Sequence, residues 1–176
     1  MATARRFTLP LTVVPDDPLG YAGRLVFDAE TVAALPRRAD GSRRFICTLA
    51  DLEPWHAALI PDGTGAYFII VNAQRIADLE ASGADPQRLR CTLAPDETEY
   101  GMEMPAELAE ALAQDGEADR HFHALTPGKQ RALIHQVTSA KREATRLRRA
   151  TGIAAYLVEV RGVLDFRELA AYQRER

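Results

Sequence analysis

Cysteine is scarce in this chain: there are 2 in 176 residues, Cys47 and Cys91, with no Cys-x-x-Cys spacing. Two cysteines cannot build a disulfide framework. Their placement inside apparent strands is consistent with buried thiols in a reducing cytosol, a disulfide between them being the alternative. Long apolar runs are also missing. No segment approaches the roughly 18–20 apolar residues needed to span a bilayer. Arg5 and Arg6 are followed by Phe7-Thr-Leu-Pro-Leu-Thr-Val-Val14, which Pro10 and the threonines break and which alternates like a strand. It makes a poor secretory core, so the expected location is cytoplasmic. The net charge of -3 is small for the length and argues against a protein that grips nucleic acid over its whole surface.

Several signatures of chemistry are absent as well. There is no Gly-x-Ser-x-Gly, and Ser42, Ser82 and Ser139 have no nucleophile context. Pro61-Asp-Gly-Thr-Gly65 lacks the Gly-Lys-Ser/Thr ending of a phosphate loop and leads into a strand. His121 and His123 have an H-x-H spacing, but in a predicted helix positions i and i+2 do not share a face. No third ligand joins them, so no metal and no cofactor is expected.

What is present reads as a globular protein, 47% apolar and 27% charged. The first hundred residues alternate short strands with turn signals. Phe7–Val14 is a strand, Asp16-Asp-Pro-Leu-Gly20 a turn, and Arg24–Phe27 opens a second strand. Glu30–Leu35 reads as a helical turn or two, closed by Pro36, and Ala39-Asp-Gly-Ser42 as a polar loop. Arg43–Leu49, Trp55–Ile60, Ala66–Val71 and Arg88–Ala94 read as strands. Pro61–Gly65 is a hairpin loop, and the unbroken run Ala66–Val71 predicts burial on both faces. Asn72 caps a predicted helix over Ala73–Ala81, with Ile76 and Leu79 inward. About six strands in so short a span favour a small β-barrel over a sandwich. Cys-Thr-Leu-Ala occurs at both 47–50 and 91–94, a hint of internal symmetry that chance explains at least as well.

Near Tyr100 the apolar period changes from two to about 3.6. Pro105 sits at a predicted first helical position, Leu108 and Leu112 pair at i, i+4, and Phe122 and Leu125 belong to a second short helix. Thr126-Pro127 is an N-cap followed by Pro at N1. A stripe through Leu133, Val137, Ala140, Ala144, Leu147, Thr151, Ala154 and Val158 shares one face if the helix is continuous, and it is weakest near Ser139–Glu143. Gly162 ends the run, and Asp165 caps a last helix holding Phe166, Leu169 and Tyr172. The expected class is α+β: a β-barrel domain over 1–98, then a helical segment over 99–176.

Charge is segregated in the second part. Nine acidic residues and no Lys or Arg lie between Pro95 and Asp119. From Pro127 to Arg149, Lys129, Arg131, Lys141, Arg142, Arg146, Arg148 and Arg149 face only Glu143, a formal sum of +6. A solvated face partly neutralised by the acidic stretch is the plainer reading; a platform for an anionic ligand, protein partner or nucleic acid is the sharper one. Trp55, His56 and Tyr67 are candidates for lining a pocket at the barrel mouth, against the alternative of a packed Trp with a rim His.

The ordered run of Arg-Arg-Phe-Ile-Cys-Thr-Leu (43–49), Trp-His-Ala-Ala-Leu-Ile-Pro (55–61), Gly-x-Gly-x-Tyr-Phe-Ile (63–69), Glu-Tyr-Gly-Met-Glu-Met-Pro-Ala-Glu-Leu (99–108) and Phe-His-Ala-Leu-Thr-Pro-Gly-Lys-Gln-Arg-Ala-Leu-Ile (122–134) resembles the YdeI/OmpD-associated family, also labelled bacteriocin-protection or OmdA-like. The resemblance implies a six-stranded barrel of unknown function followed by a helical tail, with no catalytic residues to carry over. Its label implies a role in resistance to antimicrobial peptides. The expectation is therefore a non-enzymatic binding or stress-protection protein, with nucleic-acid binding and a small-molecule enzyme as alternatives.

Overall fold

The computed structural model describes residues 3–15 and 22–175. The turn expected at Asp16–Gly20 lies outside them. The chain divides into two units, Met1–Glu97 and Thr98–Arg176.

The first unit is built from two antiparallel sheets. One holds β1 (Arg5–Leu9), β8 (Leu89–Pro95), β4 (Arg44–Leu49) and β5 (Trp55–Ala58), in that order. The other holds β2 (Leu11–Val13), β3 (Gly23–Phe27), β7 (Tyr67–Val71) and β6 (Ile60–Pro61). The expected strand Phe7–Val14 is thus two strands parted at Pro10, and Trp55–Ile60 is two strands parted at Leu59. At each corner the chain passes from one sheet to the other. The ladders therefore resolve into two four-stranded sheets, where a closed barrel was expected. Proline suits such a corner because it has no N–H to lose from a ladder.

Period-two alternation fills the interior. Phe45, Cys47 and Leu49 of β4, Leu89, Cys91 and Leu93 of β8, Leu25 and Phe27 of β3, and Ile69 and Val71 of β7 are all buried in one cluster. Phe68 is also buried, with the Arg24 guanidinium 4.7 Å from its ring centre. β7 is therefore covered on both faces at its middle. Two helices close the unit. α1 (Ala29–Ala33) is capped by the Asp28 carboxylate, which accepts from Thr31 N–H, and it buries Val32. α2 (Ala73–Ser82) is capped by Asn72, ends on Gly83 at φ +71°, and buries Leu79.

The repeated Cys-Thr-Leu-Ala is explained by strand pairing. β4 and β8 run antiparallel with Thr48 opposite Thr92, Cys47 opposite Leu93 and Leu49 opposite Cys91. The two tetrapeptides face each other about a local dyad, which brings the cysteine Sγ atoms to 3.8 Å. Both thiols are free and buried. The hydrogen bond with Cys91, then burial, pushes the Cys47 thiol far above its ordinary range.

Among the described residues the second unit holds five helices: α3 (Ala106–Gln114), α4 (Gly116–Ala124), α5 (Pro127–Thr138), α6 (Glu143–Glu159) and α7 (Phe166–Tyr172). Pro105 stands at the N-cap of α3, one residue before the expected position, and Asp115 caps α4 through the N–H groups of Glu117 and Ala118. Thr126 occupies the N-cap of α5 with no side-chain cap bond, and Pro127 leads the helix. Leu108, Leu112, Phe122, Leu133, Ile134, Val137, Ile153, Leu157 and Leu169 form a separate core. Gln130 is buried among them and donates to the Phe122 carbonyl at 3.1 Å. Gly162 has φ +79° and donates to the Leu157 carbonyl at 2.8 Å. A Cβ there would come within 2.8 Å of His121 Nδ1, so only glycine fits.

The apolar stripe is not continuous. α5 stops at Thr138 and α6 starts at Glu143, so the helical phase resets. Leu133, Val137, Ala140 and Ala154 are buried as expected, but Ala144 and Thr151 are exposed and Leu147 is 50% exposed. The buried face of α6 is Ala150, Ile153, Ala154, Tyr156 and Leu157.

Two outcomes follow from these cores. In native protein Cys47 and Cys91 resist a thiol-reactive disulfide reagent, and both react once the chain is unfolded in denaturant. Phe122→Ala lowers the unfolding free energy by about 3–5 kcal/mol, read from denaturant melts, because it empties the centre of the helical core.

Candidate functional site

On β4 and β5, side chains that do not enter the core point to the other face of the sheet. Ile46 pairs with His56 and Arg44 with Ala58 on that face, whereas Trp55 pairs with Cys47 on the core side. Trp55 packs against the core cluster, with the Arg75 guanidinium 4.3 Å above its ring. Burial lowers the pKa of that guanidinium. Adjacent strand residues face opposite ways, so Trp55 and His56 do not share a pocket.

His56 Nδ1 lies 2.8 Å from Asp96 Oδ2, and the Asp96 side chain is fully buried. Arg38 donates to the Asp96 carbonyl oxygen, and its Nη1 is 4.0 Å from Asp96 Oδ1. The Asp96 N–H in turn donates to the Arg44 carbonyl at 3.2 Å. This orients an imidazole against a buried carboxylate, a geometry that general bases use. The serine hydroxyls are engaged elsewhere: Ser42 donates to Asp40 Oδ1, Ser82 to the Leu79 carbonyl and Ser139 to the Gln136 carbonyl.

Tyr67, like Trp55, packs against the core cluster. It lines a cavity of about 290 Å³ with Arg37, Ser42, Arg43, Arg44 and Pro61. The Arg43 guanidinium sits 5.4 Å from the Tyr67 ring centre. Trp55 and Tyr67 thus both pack on the core cluster, while His56 lies on the other face of β5.

The basic residues of the helical unit divide into two sets. Arg146 donates from Nε to Glu107 Oε1 at 2.7 Å and reaches the Lys141 carbonyl at 3.3 Å. Arg149 donates to the Gln136 carbonyl at 2.6 Å and to Ser139 Oγ at 3.1 Å. Lys129 donates to the Leu164 carbonyl at 3.3 Å. Arg149 thereby closes the last turn of α5, and Arg146 and Lys129 hold the linkers before α6 and α7. The phase reset at Ser139–Arg142 turns Arg149 back toward the end of α5. Arg131 is half-buried, while Lys141, Arg142 and Arg148 are exposed. Arg148 and Arg149 also border a cleft of about 260 Å³ with Gln173 and Arg174.

The two histidines of the H-x-H pair face different partners. His123 Nε2 meets the Tyr100 hydroxyl at 3.1 Å, and its Nδ1 lies 2.9 Å from the Asp119 carbonyl oxygen. Burial, then the Glu99 hydrogen bond, pushes the Tyr100 phenol up to about 12. His121 Nε2 lies 3.5 Å from Glu117 Oε1. Among the described residues no group of three or more ligand-type side chains is placed to hold a metal ion, and no helix is long and apolar enough to cross a membrane.

Sequence reasoning missed Arg37, Arg38, Arg43, Arg44 and Asp96. A signal was available: Arg37-Arg38 and Arg43-Arg44 flank the tight Ala39–Ser42 loop symmetrically. Such a loop brings its ends together, so two arginine pairs there must lie close.

Two carboxyls of the helical unit sit below their ordinary range. The backbone N–H of Glu107 itself, then the Arg146 hydrogen bond, hold Glu107 down. The N–H groups of Glu168 and Arg167 do the same for Asp165. A depressed carboxyl contributes stability above its unfolded pKa and loses it as pH falls through the folded one. Chemical melts should therefore show stability level near neutrality and falling below about pH 4. Asp165→Asn and Glu107→Gln should each flatten that acid limb.

No curated protein and no solved structure matches the chain. The family resemblance read in the sequence is shown over the helical segment: residues 101–159 match the model of OmdA, the family described as Bacteriocin-protection, YdeI or OmpD-Associated.

Proposed function

We infer that the protein is a non-enzymatic binding protein that helps protect bacterial cells against antimicrobial peptides, using the basic surface of its helical unit to hold an anionic protein partner. The observation that carries this reading is the match at residues 101–159, because the family description names bacteriocin protection. The charge left over in that segment supports it. Lys141, Arg142 and Arg148 are exposed, and Leu147 beside them is 50% exposed. A cationic rim around an accessible leucine suits a protein contact better than a solvated helix does. The free, buried thiols support a cytoplasmic location. The corners at Pro10 and Leu59 support reading the two sheets as halves of one six-strand barrel, since β1–β2 and β5–β6 each lend residues to both.

The test compares a strain lacking the gene with its parent under cationic peptides and other envelope stresses. The deletion should be more sensitive, and the wild-type gene should restore survival. A Lys141→Glu, Arg142→Glu, Arg148→Glu triple variant should not, although exposed substitutions of this kind change stability by only about 0.5 kcal/mol each. Equal survival of deletion and parent across the panel overturns the protective role. Retardation of DNA or RNA at low salt, lost steeply as salt rises, would replace the protein partner by nucleic acid.

A further inference from the structure

A second feature lies in the sheet unit and is independent of the helical surface. The cavity at the Leu59 corner is lined by Arg37, Arg43 and Arg44 together with Ser42 and Tyr67, and none of its lining residues is acidic. We propose that this cavity binds the phosphate group of a small phosphate-bearing molecule, with Arg37 and Arg43 as its principal donors.

Arg43 is the reason to assign a ligand. It is half-buried, and its Nε is enclosed without a hydrogen-bond partner among the described residues. Its guanidinium is held over the Tyr67 ring, which orients the fork without neutralising it. A partly desolvated cation with no counter-charge is costly to keep, and an incoming anion removes that cost. Arg37 is exposed, and its Nη1 makes one bond, to the Gly41 carbonyl at 3.2 Å. The nearby Asp40 carboxylate accepts from the Ser42 N–H at 2.9 Å and the Ser42 hydroxyl at 2.6 Å.

The donors are positioned in advance. The loop between Arg37 and Arg43 is closed by Arg38 N–H to the Ser42 carbonyl and Gly41 N–H to the Arg38 carbonyl, both at 2.9 Å. Gly41 sits at φ +78°, which the turn requires. The Arg43 carbonyl is held by the Leu59 N–H at 2.9 Å. A ligand therefore does little ordering of its own.

Charge and size select the class. Guanidinium forks match both carboxylate and phosphate. The Arg37 and Arg43 guanidiniums together over-neutralise a single carboxylate and balance a phosphate dianion. A volume of about 290 Å³ admits a phosphate with a small attached group, at the lower end of the roughly 300–1,000 Å³ of small-molecule sites.

Calorimetric titration of the full chain with inorganic phosphate, phenyl phosphate and benzoate tests the proposal and separates free phosphate from a phosphate ester. Both phosphates should bind, phenyl phosphate at least as tightly as inorganic phosphate, and benzoate more weakly. Arg43→Gln should weaken phosphate binding about tenfold or more, the worth of a charge-assisted hydrogen bond. Arg43→Lys, which keeps the charge and loses the fork, should also weaken it. Arg37→Gln alters an exposed side chain and reads the same site should Arg43→Gln fail to fold. Arg148→Glu, on the helical surface, should bind like wild type. No heat from either phosphate, an unchanged affinity in Arg37→Gln together with folded Arg43→Gln, or an equal loss in Arg148→Glu overturns the site. Benzoate binding as tightly as phenyl phosphate overturns the assignment to phosphate.

Discussion

A strand that leaves one sheet for another must turn its hydrogen-bonding edge without stranding a buried backbone group. The sheet unit does this twice, and its shape depends on both corners. At Pro10 there is no N–H to satisfy, and Leu11 picks up the Pro86 carbonyl at 2.7 Å. At Leu59 the N–H is met by the Arg43 carbonyl at 2.9 Å. With both groups settled, β1–β2 and β5–β6 each cover two sheets, and the inward side chains of β3, β4, β7 and β8 meet in one core. The Leu59 corner also spreads β5 from β6. That opening is where Arg43, Arg44 and Tyr67 line a cavity.

The helical unit answers a comparable constraint by other means. A helix that stops leaves its last carbonyls without partners. α5 stops at Thr138, and the Arg149 guanidinium in the next helix reaches back to the Gln136 carbonyl in its last turn, while Arg146 bonds the Lys141 carbonyl in the linker. Cations placed there also face the negative end of the α5 dipole. Near the other end of α6 the Tyr156 hydroxyl lies 3.2 Å from both the Asp165 carbonyl oxygen and Glu168 Oε2, which ties α6 to the start of α7. Side chains that read as surface charge or as plain core therefore fix the angle at which helices meet.

Much of the local structure was legible because local rules decide it. Asn72 and Asp165 each cap a helix with their own amide or carboxylate, as their sequence context indicates, and β4 alternates as its sequence does. Three features were not legible, each for a non-local reason. The split at Leu59 depends on a partner carbonyl 16 residues earlier in the chain. The phase reset at Ser139–Arg142 depends on carbonyl acceptors that only the folded helix pair presents. Asp96 belongs by sequence to an acidic run, yet it is buried because Arg38 and His56 converge on it from 58 and 40 residues away. Tyr67 was a candidate in the sequence, and the arginines beside it come from the loop and strand that the Ala39–Ser42 turn brings together.

The contrast between the two arginine-rich regions shows why charge density alone is a poor guide to binding. The segment from Pro127 to Arg149 is the more basic by sequence, but Lys129, Arg146 and Arg149 are engaged by backbone carbonyls, and Arg146 also by Glu107. A cation so engaged has its charge partly spent, and moving it to a ligand would expose the carbonyl it leaves. Arg43 is in the reverse position. It has an aromatic ring to hold it in place, no carbonyl or carboxylate on its Nε, and an open cavity in front. What marks a site is an oriented donor still lacking its acceptor, and by that criterion the Ala39–Ser42 loop of the sheet unit stands out beside the engaged cations of the helical stretch.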